Sequence, residues 1–140
     1  MSMDAPIPTR VVVPDALVDL LLPGTDSLPS GVSVGANGSL LEDALAADPR
    51  LREPLAAVVE RAAANAPSTL VDLLELAGEQ AEEFAFALSA AYYMSSQVRE
   101  VLGYPGQQRR PIATATADEI VSEDLVAPVI ARGAVYVPTP

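Results

Sequence analysis

Cysteine, histidine, tryptophan and lysine are all missing from the 140 residues. Without cysteine there is no disulfide framework, no thiolate nucleophile and no Cys-ligated zinc or iron–sulfur site. Without histidine the chain lacks the commonest general base near neutral pH and the commonest transition-metal ligand. A serine triad therefore has no base, and a di-iron bundle has no Glu-x-x-His pair. Aromatics are scarce, two Phe and four Tyr. Positive charge is scarce as well: eight Arg stand against 19 Asp and Glu, for a net charge of −11. Such a surface repels nucleic acid and anionic lipid, so neither is expected as a partner, whereas it complements a basic protein face. No apolar run approaches the roughly 18 residues of a membrane span.

What the chain does have is alanine. Half of its residues are hydrophobic, but 24 of them are Ala, which bury little area each. The length is that of one domain. Its core should be modest, with helices packed closely through small side chains. The opening "MSMDAPIPTRVVVPDALVDLLLPG" is partly apolar, yet Asp4 precedes the run and Pro14-Asp15 interrupts it. It does not read as a secretory leader, and the chain is expected to be cytoplasmic.

The pattern along the chain predicts an all-α domain with extended arms at both ends. The expected divisions are an arm over residues 1–12, a helical body over 13–103, and a partner-contacting corner and tail over 104–140. Pro14 suits the first position of a helix whose stripe is Leu17, Val18, Leu21 and Leu22. Pro23-Gly24 stops it. "TDSLPSGVSVGANGS" reads as a long loop, a candidate contact loop or a mobile one. Helix resumes near Ser39 or Leu40 and runs through Leu45, and Asp48-Pro49 reads as a new cap with proline at the first position. Pro54 demands a fresh start or a kink before a helix reaching Ala66. Ser68 is expected to cap the next helix, and Gly78 to bend or break it. In the long helix that follows, Phe84, Leu88, Ala91 and Tyr92 share one face. Ser95 or Ser96 recaps a short helix for which Gly103 is the terminating glycine. A last helix is expected over 123–131, ending at Gly133, and "AVYVPTP" leaves as an extended tail. No repeat period is visible.

Several motifs admit a functional and a plain structural reading. Asp26-Ser27-Leu28 matches the attachment triplet of acyl carrier proteins, but Pro29, Ser30 and Gly31 follow at once, so turn chemistry is expected. The acidic run Asp72, Glu75, Glu79, Glu82 and Glu83 reads as a solvated helix face, or as a docking patch for a basic surface. A divalent metal site there would usually need a Gly-bearing ligand loop. Arg109-Arg110 is able to clamp a phosphate or carboxylate, or to pair with acids of this chain or a partner. Gly31, Gly35 and Gly38 lack the spacing and the preceding strand of a phosphate loop. No catalytic constellation is present, and no cofactor is expected in the chain itself.

Leu22-Pro23-Gly24 near one end, and Tyr92, Tyr93, Val98, Arg99 and Gly103-Tyr104-Pro105-Gly106 near the other, resemble the gluconate 2-dehydrogenase subunit 3 family. These are small helical subunits of GMC-type flavoprotein dehydrogenases. The tail "DLVAPVIARGAVYVPTP" is similar to their trailing arm. The resemblance implies a noncatalytic subunit that binds and stabilises a larger FAD-dependent oxidoreductase acting on sugars, glycosides or alcohols, with FAD held by the partner. Many members carry a twin-arginine export signal; this sequence has none, so the partner is expected in the cytoplasm, unless such a signal has been removed.

The expected contact residues are Tyr92, Tyr93, Gly103, Tyr104, Pro105, Gly106, Arg109, Arg110, Val135 and Tyr136. The low-charge segments 11–13 and 134–138 are expected to lie along the partner or to add an edge strand to it. Two readings of Tyr104 stand side by side: a stiff aromatic anchor on the partner, or a ring packed in its own core behind an ordinary helix end. The alternative function is a self-sufficient helical binding or regulatory protein, such as a homodimer through Ala-rich faces. A weaker third is a carboxylate–metal enzyme around Glu75, Glu79 and Glu82.

Overall fold

The computed structural model describes residues 10–107, 109 and 123–134, with only the backbone described for 123–125. The chain divides into two compact units, Met1–Gly106 and Gln107–Pro140, and the boundary falls at the Gly-Tyr-Pro-Gly corner. The first unit contains α1 (Asp15–Leu21), α2 (Ser39–Ala47), α3 (Arg52–Ala64), α4 (Leu70–Ala77), α5 (Ala81–Met94) and α6 (Ser96–Val101). Two 3-10 turns, Pro49–Leu51 and Gly78–Gln80, lead into α3 and α5. The fold is all-α, with no strand among the described residues.

α5 is the axis of the first unit. Phe84, Ala87, Leu88, Ala91 and Tyr92 recur at helical spacing and are all buried, which is the face the periodicity predicts. α2 is its principal neighbour, and α3, α4 and α6 also pack on it. Alanines 44, 62, 77, 87 and 91 sit in the core beside Leu41, Leu45, Leu55, Val58 and Leu73. The short side chains let helix backbones approach, while each buried Leu or Phe contributes roughly 1.5–3 kcal/mol.

Local chemistry sets the boundaries. Pro14 stands one place earlier than expected, as the extended cap of α1 (φ −60°, ψ 145°), with its carbonyl accepting from the Leu17 and Val18 amides. Asp48 accepts from the Arg50 amide, and the Arg50 guanidinium beside it holds its carboxyl below the usual range. The fresh start that Pro54 demands is taken at Arg52. Pro54 thus falls in the first turn, where helix N–H groups have no intrahelical acceptor to lose.

The cap of α4 is Thr69, not Ser68. Thr69 Oγ1 accepts from the Asp72 amide at 3.1 Å, and Asp72 Oδ2 accepts from the Thr69 amide at 3.0 Å. Only this register places an acceptor side chain three residues inside the helix for a reciprocal pair; with Ser68 as the cap that position would be Val71. α3 ends at Ala64 rather than Ala66.

Residues 11–13 correct an expectation. Val11 and Val13 are 5% and 1% exposed, whereas Val12 is 66% exposed. In an extended segment alternate side chains point to opposite sides, so two of the three valines enter this chain's own core instead of lying along a partner. Asn37 Nδ2 holds the segment by donating to the Val13 carbonyl and to Asp15 Oδ1, both at 2.8 Å. The loop before α2 is likewise part of the body. The Gly31 amide donates to the Leu22 carbonyl at 2.8 Å, the Ala36 amide donates to the Gly31 carbonyl at 2.9 Å, and Ala36 is fully buried.

The second unit has α7 (Glu123–Arg132), with Pro128 inside it. It closes at Gly133, at φ 72°, as expected. The arms over residues 1–9 and 135–140 lie outside the described residues. No helix among the described residues is long and apolar enough to cross a membrane.

Candidate functional site

Two sequence signals separated by about half the chain meet in space. Leu22-Pro23-Gly24 and Tyr92-Tyr93 line one cavity of about 200 Å³. The Tyr92 hydroxyl donates to the Pro29 carbonyl at 2.7 Å, which ties α5 to the turn after α1. That turn is the expected one: Thr25 Oγ1 accepts from the Leu28 amide at 3.0 Å, the Thr25 amide donates to the Leu28 carbonyl, and no helix begins at Ser27.

The tyrosine pair divides its labour. Tyr92 is 5% exposed and belongs to the core, so it leaves the expected contact set; Tyr93 is 58% exposed. Their rings meet edge to face, with centroids 5.4 Å apart. Burial pushes the Tyr92 hydroxyl up, and the neighbouring Tyr93 adds to the shift. The neutral form is therefore the stabilised one. Its contribution is fully present below the unfolded value of about 10 and is lost as pH rises from there through the folded value. In an alkaline absorbance titration, one of the four tyrosines should ionise late, while stability falls above about pH 10. Tyr92→Phe should remove the late step; a single shared step for all tyrosines would contradict the assignment.

The end of α6 explains the corner. The Gly103 amide donates to the Glu100 carbonyl at 3.0 Å, and the Tyr104 amide donates to the Arg99 carbonyl at 2.8 Å. This is the Schellman pattern, and it requires positive φ at Gly103, observed at 68°. Gly106 has φ 83°. Tyr104 is 59% exposed, so it does not pack in its own core. Arg109 is exposed; Arg110, Val135 and Tyr136 lie outside the described residues.

Three of the five described aromatic rings are about equally outward. Phe86 at 58% exposure joins Tyr93 and Tyr104, leaving Phe84 and Tyr92 inside. Phe86 lies seven residues before Tyr93, on the same outer face of α5, with Glu79 and Glu82 exposed one turn or more before it. Sequence reasoning missed Phe86, although its seven-residue spacing to Tyr93 was readable. Met94, Val101 and Leu102 are also exposed, at 40–51%. Among the described residues no group of three or more metal-ligating side chains is gathered, and the acidic run is distributed along α4, the turn and α5. The chain matches no protein-family model, no curated protein and no solved structure.

Proposed function

We propose that this chain is a noncatalytic subunit that binds and stabilises a larger FAD-dependent, GMC-type oxidoreductase acting on sugars, glycosides or alcohols. The observation that carries the binding role is the outward placement of Phe86, Tyr93 and Tyr104 in a chain with only six aromatics. A small Ala-rich body gains most from burying its few rings, so rings held outside suit a surface completed by another protein. Exposed Val101 and Leu102 beside the corner extend that surface. The identity of the partner rests on the resemblance of the Leu-Pro-Gly and Gly-Tyr-Pro-Gly motifs. In this reading both subunits work in the cytoplasm, FAD and substrate stay with the large subunit, and this chain's acidic charge meets a basic face.

Mild capture of the tagged chain from its native cells, followed by visible spectra and intact mass, tests the reading. A yellow complex with a larger flavoprotein is expected. Phe86→Ala combined with Tyr93→Ala and Tyr104→Ala should weaken that complex by at least about a hundredfold, since two or three anchors of about 1–2 kcal/mol each are removed. The fold should survive, because all three rings are exposed. A colourless, stable species containing only this chain would overturn the reading in favour of a self-sufficient module.

A further inference from the structure

Arg99 differs from the other arginines in the helices and 3-10 turns of the first unit. Arg50 pairs with Asp48 at 2.9 Å and Arg52 with Glu42 at 3.5 Å. Arg61 donates to the Ala57 and Ala77 carbonyls at 3.2 and 3.3 Å and to Gln80 Oε1. The Nε of Arg99, by contrast, is buried and meets no acceptor. A guanidinium N–H withdrawn from water without an acceptor is destabilising. The sequence contains 19 acidic residues, and one of them, Glu100, is the next residue and lines the same recess. None of them forms an ion pair with Arg99 among the described residues.

The recess itself is built by the corner. It has a volume of about 420 Å³ and is lined by Ser96, Arg99, Glu100, Gly103, Tyr104 and Pro105, inside the span of roughly 300–1,000 Å³ usual for small-ligand pockets. The hydrogen bond from the Tyr104 amide to the Arg99 carbonyl folds the chain back beside the residue whose Nε lacks an acceptor. Gly106 passes close by: a Cβ there would stand at an ordinary contact distance, 3.7 Å, from Arg99 Nη1. A planar fork of N–H donors matches a carboxylate in two-point geometry. The Ser96 and Tyr104 hydroxyls are additional donors, while the Tyr104 ring and Pro105 supply apolar wall. The Glu100 carboxylate on the same wall opposes a dianion more than a monoanion.

We propose that this recess binds a carboxylate borne on an apolar or aromatic body, with Arg99 as the anion-binding residue. Every residue of the recess belongs to this chain, and because Tyr104 is also assigned to the partner-binding surface, the free chain is the form in which the recess is tested. A carboxylate of this kind is found at the C-terminus of a polypeptide and in a free organic acid, and the two sources separate by affinity.

The test uses the full-length ¹⁵N-labelled chain at fixed ionic strength and follows the arginine Nε–Hε signals, with that of Arg99 assigned by its loss in Arg99→Lys. The probes are benzoate, acetyl-glycyl-phenylalanine, the C-terminal amide of that peptide, and inorganic phosphate. Benzoate or the free-acid peptide should shift the Arg99 signal saturably with a Kd at or below about 1 mM, and neither the amide nor phosphate should do so. Tighter binding of the peptide assigns a polypeptide C-terminus, and tighter binding of benzoate a free acid. Arg99→Lys, read through backbone amides of Gly103 and Tyr104, should weaken binding at least about tenfold because the fork is lost; those amide signals also report whether the corner has kept its fold. The proposal fails if no probe gives a saturable shift, if all arginine signals move together, or if the amide binds as well as the acid.

Discussion

Gly24→Ala is expected to destabilise the chain by about 2–5 kcal/mol, combining a left-handed backbone cost of about 1–2 with a steric cost of about 1–3. Gly24 has φ +79°, and a Cβ there would lie 2.8 Å from the Ser30 amide nitrogen and 3.0 Å from the Leu28 carbonyl oxygen. Both obstacles are backbone. They are held in place by the Thr25 amide donating to the Leu28 carbonyl and the Gly31 amide donating to the Leu22 carbonyl, so they have little room to yield. Against a total stability of about 5–15 kcal/mol for a typical domain, the loss is large. Gly103→Ala separates the two contributions, because Gly103 also has positive φ (+68°) but a Cβ there meets nothing within 4 Å. Urea denaturation of both variants should show Gly103→Ala losing only the backbone share. Equal losses would mean that the close approach around Gly24 is not what excludes a side chain.

Phe84→Ala should cost about 3–5 kcal/mol, and Phe86→Ala less than about 0.5 kcal/mol. The two residues are neighbours on α5 with opposite environments, 0% against 58% exposed. Phe84 is the largest of the fully buried side chains. Ala87 and Ala91 on the same helical face are too short to move into the space it would leave, which places the cost toward the upper part of that range. Thermal unfolding of the two single variants gives a direct comparison. Similar midpoints would contradict the packing of α5 described above, while an intact Phe86→Ala is also what makes the triple surface variant a fair probe of partner binding.

The all-α class, the buried face of α5 and the Gly103 terminus were legible because each rests on residues within two turns of one another. Residues 11–13 were not, because an alternation of three valines is too short to reveal which of them face inward; only the neighbouring helices decide that. Helical spacing already separates Tyr92, on the buried face of Phe84, Leu88 and Ala91, from Tyr93; what no local pattern announces is the Pro29 carbonyl that the Tyr92 hydroxyl reaches. The shift of the α4 cap from Ser68 to Thr69 was readable in principle from Asp72, three residues beyond the true cap. The isolation of Arg99 was not readable, since an absent partner is a property of the folded arrangement.

The hydrogen bond between Tyr92 and Pro29 has a consequence for biosynthesis. Its partners are 63 residues apart in the chain, so the ribosome makes α1 and the following turn on the order of 3–13 s before their anchor emerges, at roughly 5–20 residues per second. During that interval Leu17 and Val18, buried in the finished protein, have no α5-bearing body to pack against. Vectorial synthesis thus leaves the amino-terminal segment waiting for the middle of the chain to complete its packing.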